Sequence, residues 1–207
     1  MPKQMHLAGQ SDTIEQVTRK GERTRAKLID ATIRELGHIG YEATSILLIT
    51  KTAKVSNATF YLYFRNKDAI IDAAIIEPAA QILRRVYEVE QGEPEFLKRM
   101  LLALRSFFEF VVEDPRWARA MLATHAAVPR LRELLKSQGS GMLDRGIASG
   151  LFDIRGTAFE VDAIHSVLMT AIRQQIDGTA GPDVIDEFID LTMRMLGVRE
   201  PDLKPTR

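Results

Sequence analysis

The sequence predicts an all-α protein, with three short helices at the front and about six larger ones behind. Apolar residues recur at three- and four-residue spacing, and no run of period-two alternation stands against it. The breaks between such stretches, "EDP", "AVP", "ASGLFDIRG" and "DGTAGPD", are rich in Gly, Pro and Asp. Ser, Thr or Asn sits where several stretches begin, as helix N-caps require.

The first helix spans about 23–39, with Ala26, Leu28, Ile29, Ile33 and Leu36 on one stripe and Gly37 and Gly40 ending it. Thr44 and Ser45 offer caps for a short helix through about Ala53. Ser56 caps a second short helix running to Phe64, and Asn66 caps a longer one from Lys67 to about Glu90. Beyond Pro94 the expected helices are about 95–113, 115–124, 128–148, 157–177 and 183–196. Residues 1–21 read as a flexible basic arm, 22–67 and 68–198 as two helical domains, and 199–207 as a polar tail.

Composition narrows the function classes. The 207 residues are 45% hydrophobic and 27% charged, suiting one or two soluble globular domains. With no cysteine, a disulfide framework and a thiolate metal site are both excluded, compatible with a reducing cytoplasm. No apolar run approaches the ~20 residues that span a bilayer, and the N-terminus lacks a signal-like apolar core. Net charge is zero, but residues 1–67 hold 11 Lys and Arg against 6 Asp and Glu, whereas the rest hold 17 against 22. A basic front and an acidic remainder suggest that one end meets a polyanion.

The stretch "VSNATFYLYFRNKD" refines that suggestion. On a helical wheel Phe60 and Phe64 share a face and can pack inward, while Asn57, Ala58, Tyr61 and Leu62 turn away and Tyr63 lies to one side. Two short helices joined by a tight turn form a helix-turn-helix. On DNA, tyrosine hydroxyls suit phosphates. Asn57 suits adenine, Ala58 and Leu62 suit thymine methyls, and Lys67 at a helix start suits a phosphate.

Residues 23–70, through "GYEATS" and the "VS..TFY.YF.NKD" run, resemble the DNA-binding domain of TetR-family transcriptional regulators. The resemblance implies an N-terminal three-helix DNA-binding domain followed by a larger helical ligand-binding and dimerisation domain. It implies backbone contacts from Thr44, Ser56, Thr59, Tyr61, Tyr63 and Lys67, and base contacts from Asn57, Ala58 and Leu62. The turn departs from the family's usual "AGVS" by reading "AKVS", with Lys54 available to a phosphate; Leu48 and Thr50 depart as well. A basic segment, Arg19, Lys20, Arg23 and Arg25, is placed to track phosphates or to enter a minor groove.

By the same resemblance the last two helices form a homodimer interface, with Val161, Ile164, Leu168 and Ile172 from one and Ile185, Phe188, Ile189, Thr192 and Leu196 from the other. A pocket for a small-molecule effector draws on Phe107, Phe108, Phe110, Trp117, Met121, Met142, Phe152 and Met169, with His125, His165 and Arg173 as polar partners. Scattered histidines and the lack of a phosphate loop or metal-ligand cluster argue against an enzyme, and no cofactor is called for. The expectation is a cytoplasmic, ligand-responsive repressor of a double-stranded DNA operator, without a membrane partner. The alternatives are an activator, a corepressor-dependent regulator or a helical carrier with a vestigial motif.

Overall fold

The structure is a computed structural model that describes residues 8–198. Among these the regular structure is helix, without strands: α1 (Ala8–Ala43), α2 (Ile46–Ala53), α3 (Asn57–Tyr61), α4 (Lys67–Ile71), a π-helical turn (Asp72–Ile76), α5 (Glu77–Glu90), α6 (Phe96–Val112), α7 (Pro115–His125), α8 (Pro129–Ala148), α9 (Ala158–Asp177) and α10 (Val184–Met195).

The front helix is longer than expected. Residues 8–21, read from sequence as a flexible arm, continue α1, because Gln, Glu, Lys and Arg there favour helix and no proline interrupts them. Residues 1–7 of that arm and the tail 199–207 lie outside the described residues. The expected break falls at Gly40, whose φ of 81° and ψ of 176° suit glycine. Gly37 stays helical and lets the backbone of α7 approach; a Cβ there would lie 3.5 Å from the Ala120 nitrogen. Ala26, placed on the buried stripe, is exposed.

A small core of Leu28, Ala31, Ile49, Phe60, Phe64, Ile70 and Ala73 joins α1 to α4. The phenylalanine pair four residues apart is buried as the wheel predicts. Between 67 and 90 the single expected helix is instead divided by the π turn. Pro78 supplies a physical reason: without an N–H it cannot bond the carbonyl four residues back, and its ring crowds that turn.

The remaining helices pack around a larger core that includes Phe107, Phe108, Met121, Leu131 and Ile172. The α8–α9 loop tucks Phe152 under α8 at Gly146, where a Cβ would sit 2.0 Å from the ring. α7 lies along the long α1, tied by the Arg116–Asp30 ion pair, and so links the two halves.

Candidate nucleic-acid interface and effector cavity

Short-range chemistry builds the helix-turn-helix. Ser45 caps α2 by accepting from the Leu48 N–H at 3.2 Å. The turn closes on Lys54, whose φ of 56° and ψ of 45° are left-handed; its N–H reaches the Thr50 and Lys51 carbonyls. Ser56 then caps α3 by accepting from the Thr59 N–H at 3.0 Å, and its hydroxyl also meets that of Thr59 at 2.8 Å. Asn66 caps α4 through the Ala69 N–H.

This geometry presents one face of α3. Leu62 is 81% exposed and Tyr61 58%, while Phe60 beside them is sealed. Lys54, Ser56, Asn57 and Ala58 are exposed and Thr59 half-buried. Lys51 and the 67%-exposed Leu47 on α2 and Arg65 before α4 are exposed as well, and the sequence analysis did not single them out. Leu47 was findable: it is one residue off the spacing of the inward-facing Ile46, Ile49 and Thr50.

Three expected DNA contacts are turned elsewhere. Thr44 is buried; its hydroxyl donates to the Gly40 carbonyl at 2.6 Å and its N–H to Tyr41. Lys67 donates to the Tyr41 carbonyl at 2.6 Å and lies over the Tyr41 ring, so burial pulls its pKa down and it clamps α4 to the end of α1. Tyr63 is half-buried against the small core, its hydroxyl beside Gly21. Within the basic segment, the Arg25 guanidinium sits over the Phe64 ring.

The second half contains a partly open cavity of about 350 Å³ lined by α5, α6, α8, α9 and α10. Of the expected pocket residues, Phe107, Met142 and His165 line it. Phe108, Trp117, Met121, Phe152 and Met169 fill the protein's own core, Phe110 lies under the Arg85 guanidinium, and Arg173 is exposed. His125 stands behind His165, their Nε2 atoms 2.8 Å apart. Burial holds both imidazoles neutral, with Lys136 adding to it, and His165 is brought to about 4. Glu90 lines the wall as well, its pKa raised by burial, as do Lys136 and Arg145.

The residues expected at a dimer interface face inward. Val161, Ile164, Leu168 and Phe188 line the cavity, while Ile172, Thr192 and Leu196 are buried within the protomer. Ile185 and Ile189 pack half-buried on the core. An apolar stripe buries against whatever lies beneath it, and here that is the protomer itself. The outer faces carry Phe159, 82% exposed, and Leu191, 40% exposed.

A capped two-helix motif with an outward-facing second helix, joined to a helical domain around an apolar cavity, defines a helix-turn-helix regulator. Residues 28–74 match the model of the bacterial regulatory proteins of the tetR family, and residues 100–204 match the tetracyclin repressor-like C-terminal domain. The chain belongs to the TetR family of DNA-binding transcriptional regulators.

It is 26% identical over 135 residues to the fatty acid metabolism regulator protein of Bacillus subtilis, covering 60% of this chain and 68% of that one. It is 37% identical over 71 residues to the nicotine-responsive transcriptional repressor HdnoR of Paenarthrobacter nicotinovorans, covering 34% of this chain and only 37% of that repressor. The structure of the regulator FadR from Bacillus subtilis in complex with stearoyl-CoA superposes with a TM-score of 0.65 over 84% of this chain and 99% of that one; at 18% identity this shows the shared fold. No helix among the described residues is long and apolar enough to cross a membrane.

Proposed function

We propose that this chain is a repressor that binds a near-palindromic DNA operator as a homodimer and is released by a small, largely hydrophobic effector. The observation that carries the reading is the outward face of α3, where Tyr61 and Leu62 stand in solvent opposite the sealed Phe60. Burying two such apolar bodies in a major groove is favourable, and the Tyr61 hydroxyl suits a phosphate.

Dimerisation supplies the spacing, since two recognition helices must lie about 34–36 Å apart to meet successive turns of DNA. The outer faces of α9 and α10, with Phe159 and Leu191, are the surface on which a second copy would pack. The cavity is the effector site: its walls are mostly Leu, Val, Ile, Met and Phe. Relatives include a nicotine-responsive repressor and a regulator solved with stearoyl-CoA, so the fold admits apolar-bodied effectors.

The wall helix α5 runs through the π turn into α4, and only five residues separate the end of α3 from the start of α4. A ligand that repositions α5 therefore changes where α3 stands. Release needs differential affinity for the two states; about 100-fold, or ~2.7 kcal/mol, gives a usable switch.

The test is binding of the full chain to its own upstream DNA at several salt concentrations, against scrambled competitor. The expected result is specific binding whose log K falls as salt rises, weakened by Tyr61→Ala and abolished by an effector found by screening. Equal affinity for scrambled DNA and for sites chosen from a randomised pool would overturn the reading.

A further inference from the structure

We propose that Thr50, a buried residue of α2, sets the base preference of Asn57 by fixing the orientation of its carboxamide. The inference rests on the reading that α3 enters a major groove, and it assigns a specificity role to a side chain that touches no DNA.

Thr50 is 2% exposed, and its hydroxyl donates to Asn57 Oδ1 at 2.7 Å. Asn57 is the first residue of α3 and is exposed. A carboxamide that rotates by half a turn exchanges its acceptor for its donors, so an unrestrained Asn presents either pattern.

The Leu47 carbonyl, at 3.0 Å, competes for the single Thr50 proton. At 2.7 Å the contact has the usual O–H···O length and lies at the short end of the N–H···O range, and the structure sets Oδ1 of Asn57 against Thr50. The Thr50 backbone is anchored too, because its carbonyl accepts from the Val55 N–H at 3.0 Å and from that of Lys54. The hydroxyl is therefore a fixed point at the elbow between the two helices.

With Oδ1 held by one lone pair, its second lone pair and the adjacent Nδ2–H form an outward edge of one acceptor and one donor in fixed order. Adenine N6–H and N7 complement that edge. Thr50 acts here as a positioning residue.

Randomised-site selection with the full-length protein tests this, using wild type, Asn57→Ala, Thr50→Val and Thr50→Ser, each checked for folding by circular dichroism. Wild type should enrich adenine at one position of each half-site, by on the order of tenfold over the next base. Asn57→Ala and Thr50→Val should flatten that same position to within about threefold and leave the other positions alone, while Thr50→Ser retains adenine. Thr50→Ala gives the same comparison with a smaller side chain should Thr50→Val fold poorly.

An unchanged consensus in Thr50→Val and Thr50→Ala overturns the inference, as does an even loss of affinity at every position or an Asn57-dependent position that selects another base. If wild type enriches no sequence at all, the DNA-reading role falls and takes this inference with it.

Discussion

The indole Nε1–H of Trp117 donates to the Ala74 carbonyl at 3.0 Å, and Pro78, four residues on, has no N–H with which to make the α-helical bond to that carbonyl. A proline in α5 thus opens a backbone acceptor that a side chain of α7 fills, across the junction of the two domains. Trp117→Phe keeps most of the apolar bulk and leaves the buried carbonyl without this donor. The expected cost is about 1–3 kcal/mol of stability. Because Trp117 is the only tryptophan, circular dichroism is the appropriate readout of the melt. An unchanged midpoint would mean that the indole adds packing alone.

Lys54 separates stability from DNA affinity. It is the only non-glycine residue with positive φ among those described, and it is exposed. Lys54→Gly relieves the Cβ strain of a left-handed position and should raise stability by about 1 kcal/mol. The same change removes a cation beside α3, so operator affinity should fall and the salt slope should lose about one unit. A melt and a salt titration on one variant check both halves.

The residues differ in how legible they were. Phe60, Phe64 and the caps Ser45, Ser56 and Asn66 were readable because local chemistry decides them, and the structure places them as expected. The rear helices begin and end within a few residues of expectation because Gly, Pro and Asp mark each break. The stripe of Val161, Ile164 and Leu168 was visible too, but periodicity shows which residues share a face, not whether that face meets a cavity or a second subunit. Thr44 and Lys67 bond within the protein for a related reason: a hydroxyl or ammonium suited to a phosphate suits a nearby carbonyl equally, and Gly40 and Tyr41 supply one each. The Thr50–Asn57 bond needed coordinates, since nothing in a sequence aligns two side chains seven positions apart.

The glycines of α8 behave oppositely according to their surroundings. A Cβ on Gly139 meets nothing within 4 Å, and one on Gly141 reaches only Arg145 Nη1, at 3.7 Å. Alanine at either position should add up to about 1 kcal/mol through helix propensity. Gly146→Ala puts a methyl into the Phe152 ring and should lose about 1–3 kcal/mol by overpacking. Urea unfolding of the three variants orders them; a destabilised Gly139→Ala would show that α8 uses that glycine for something other than room.

The His125–His165 pair sets an acid limit. Burial keeps both rings neutral, with Lys136 and Arg132 opposing a further positive charge and the Asp162 carboxylate only partly offsetting it at His165. In the unfolded chain each imidazole protonates near 6.5, while in the folded protein His165 waits until about 4. Between those values the unfolded state binds more protons, so stability should fall as pH drops from 6.5 towards 4, with no contribution from His165 above about 7. Asp and Glu titrate at the lower end of the same range, so the informative quantity is a difference. His165→Gln removes this ring's share and leaves the carboxylates in place. The gap in stability between wild type and His165→Gln should stay constant above about pH 7 and shift in favour of the variant as pH falls from 6.5 to 4. Parallel curves across the whole range would mean that solvent reaches His165 and that the pair imposes no acid limit on the fold.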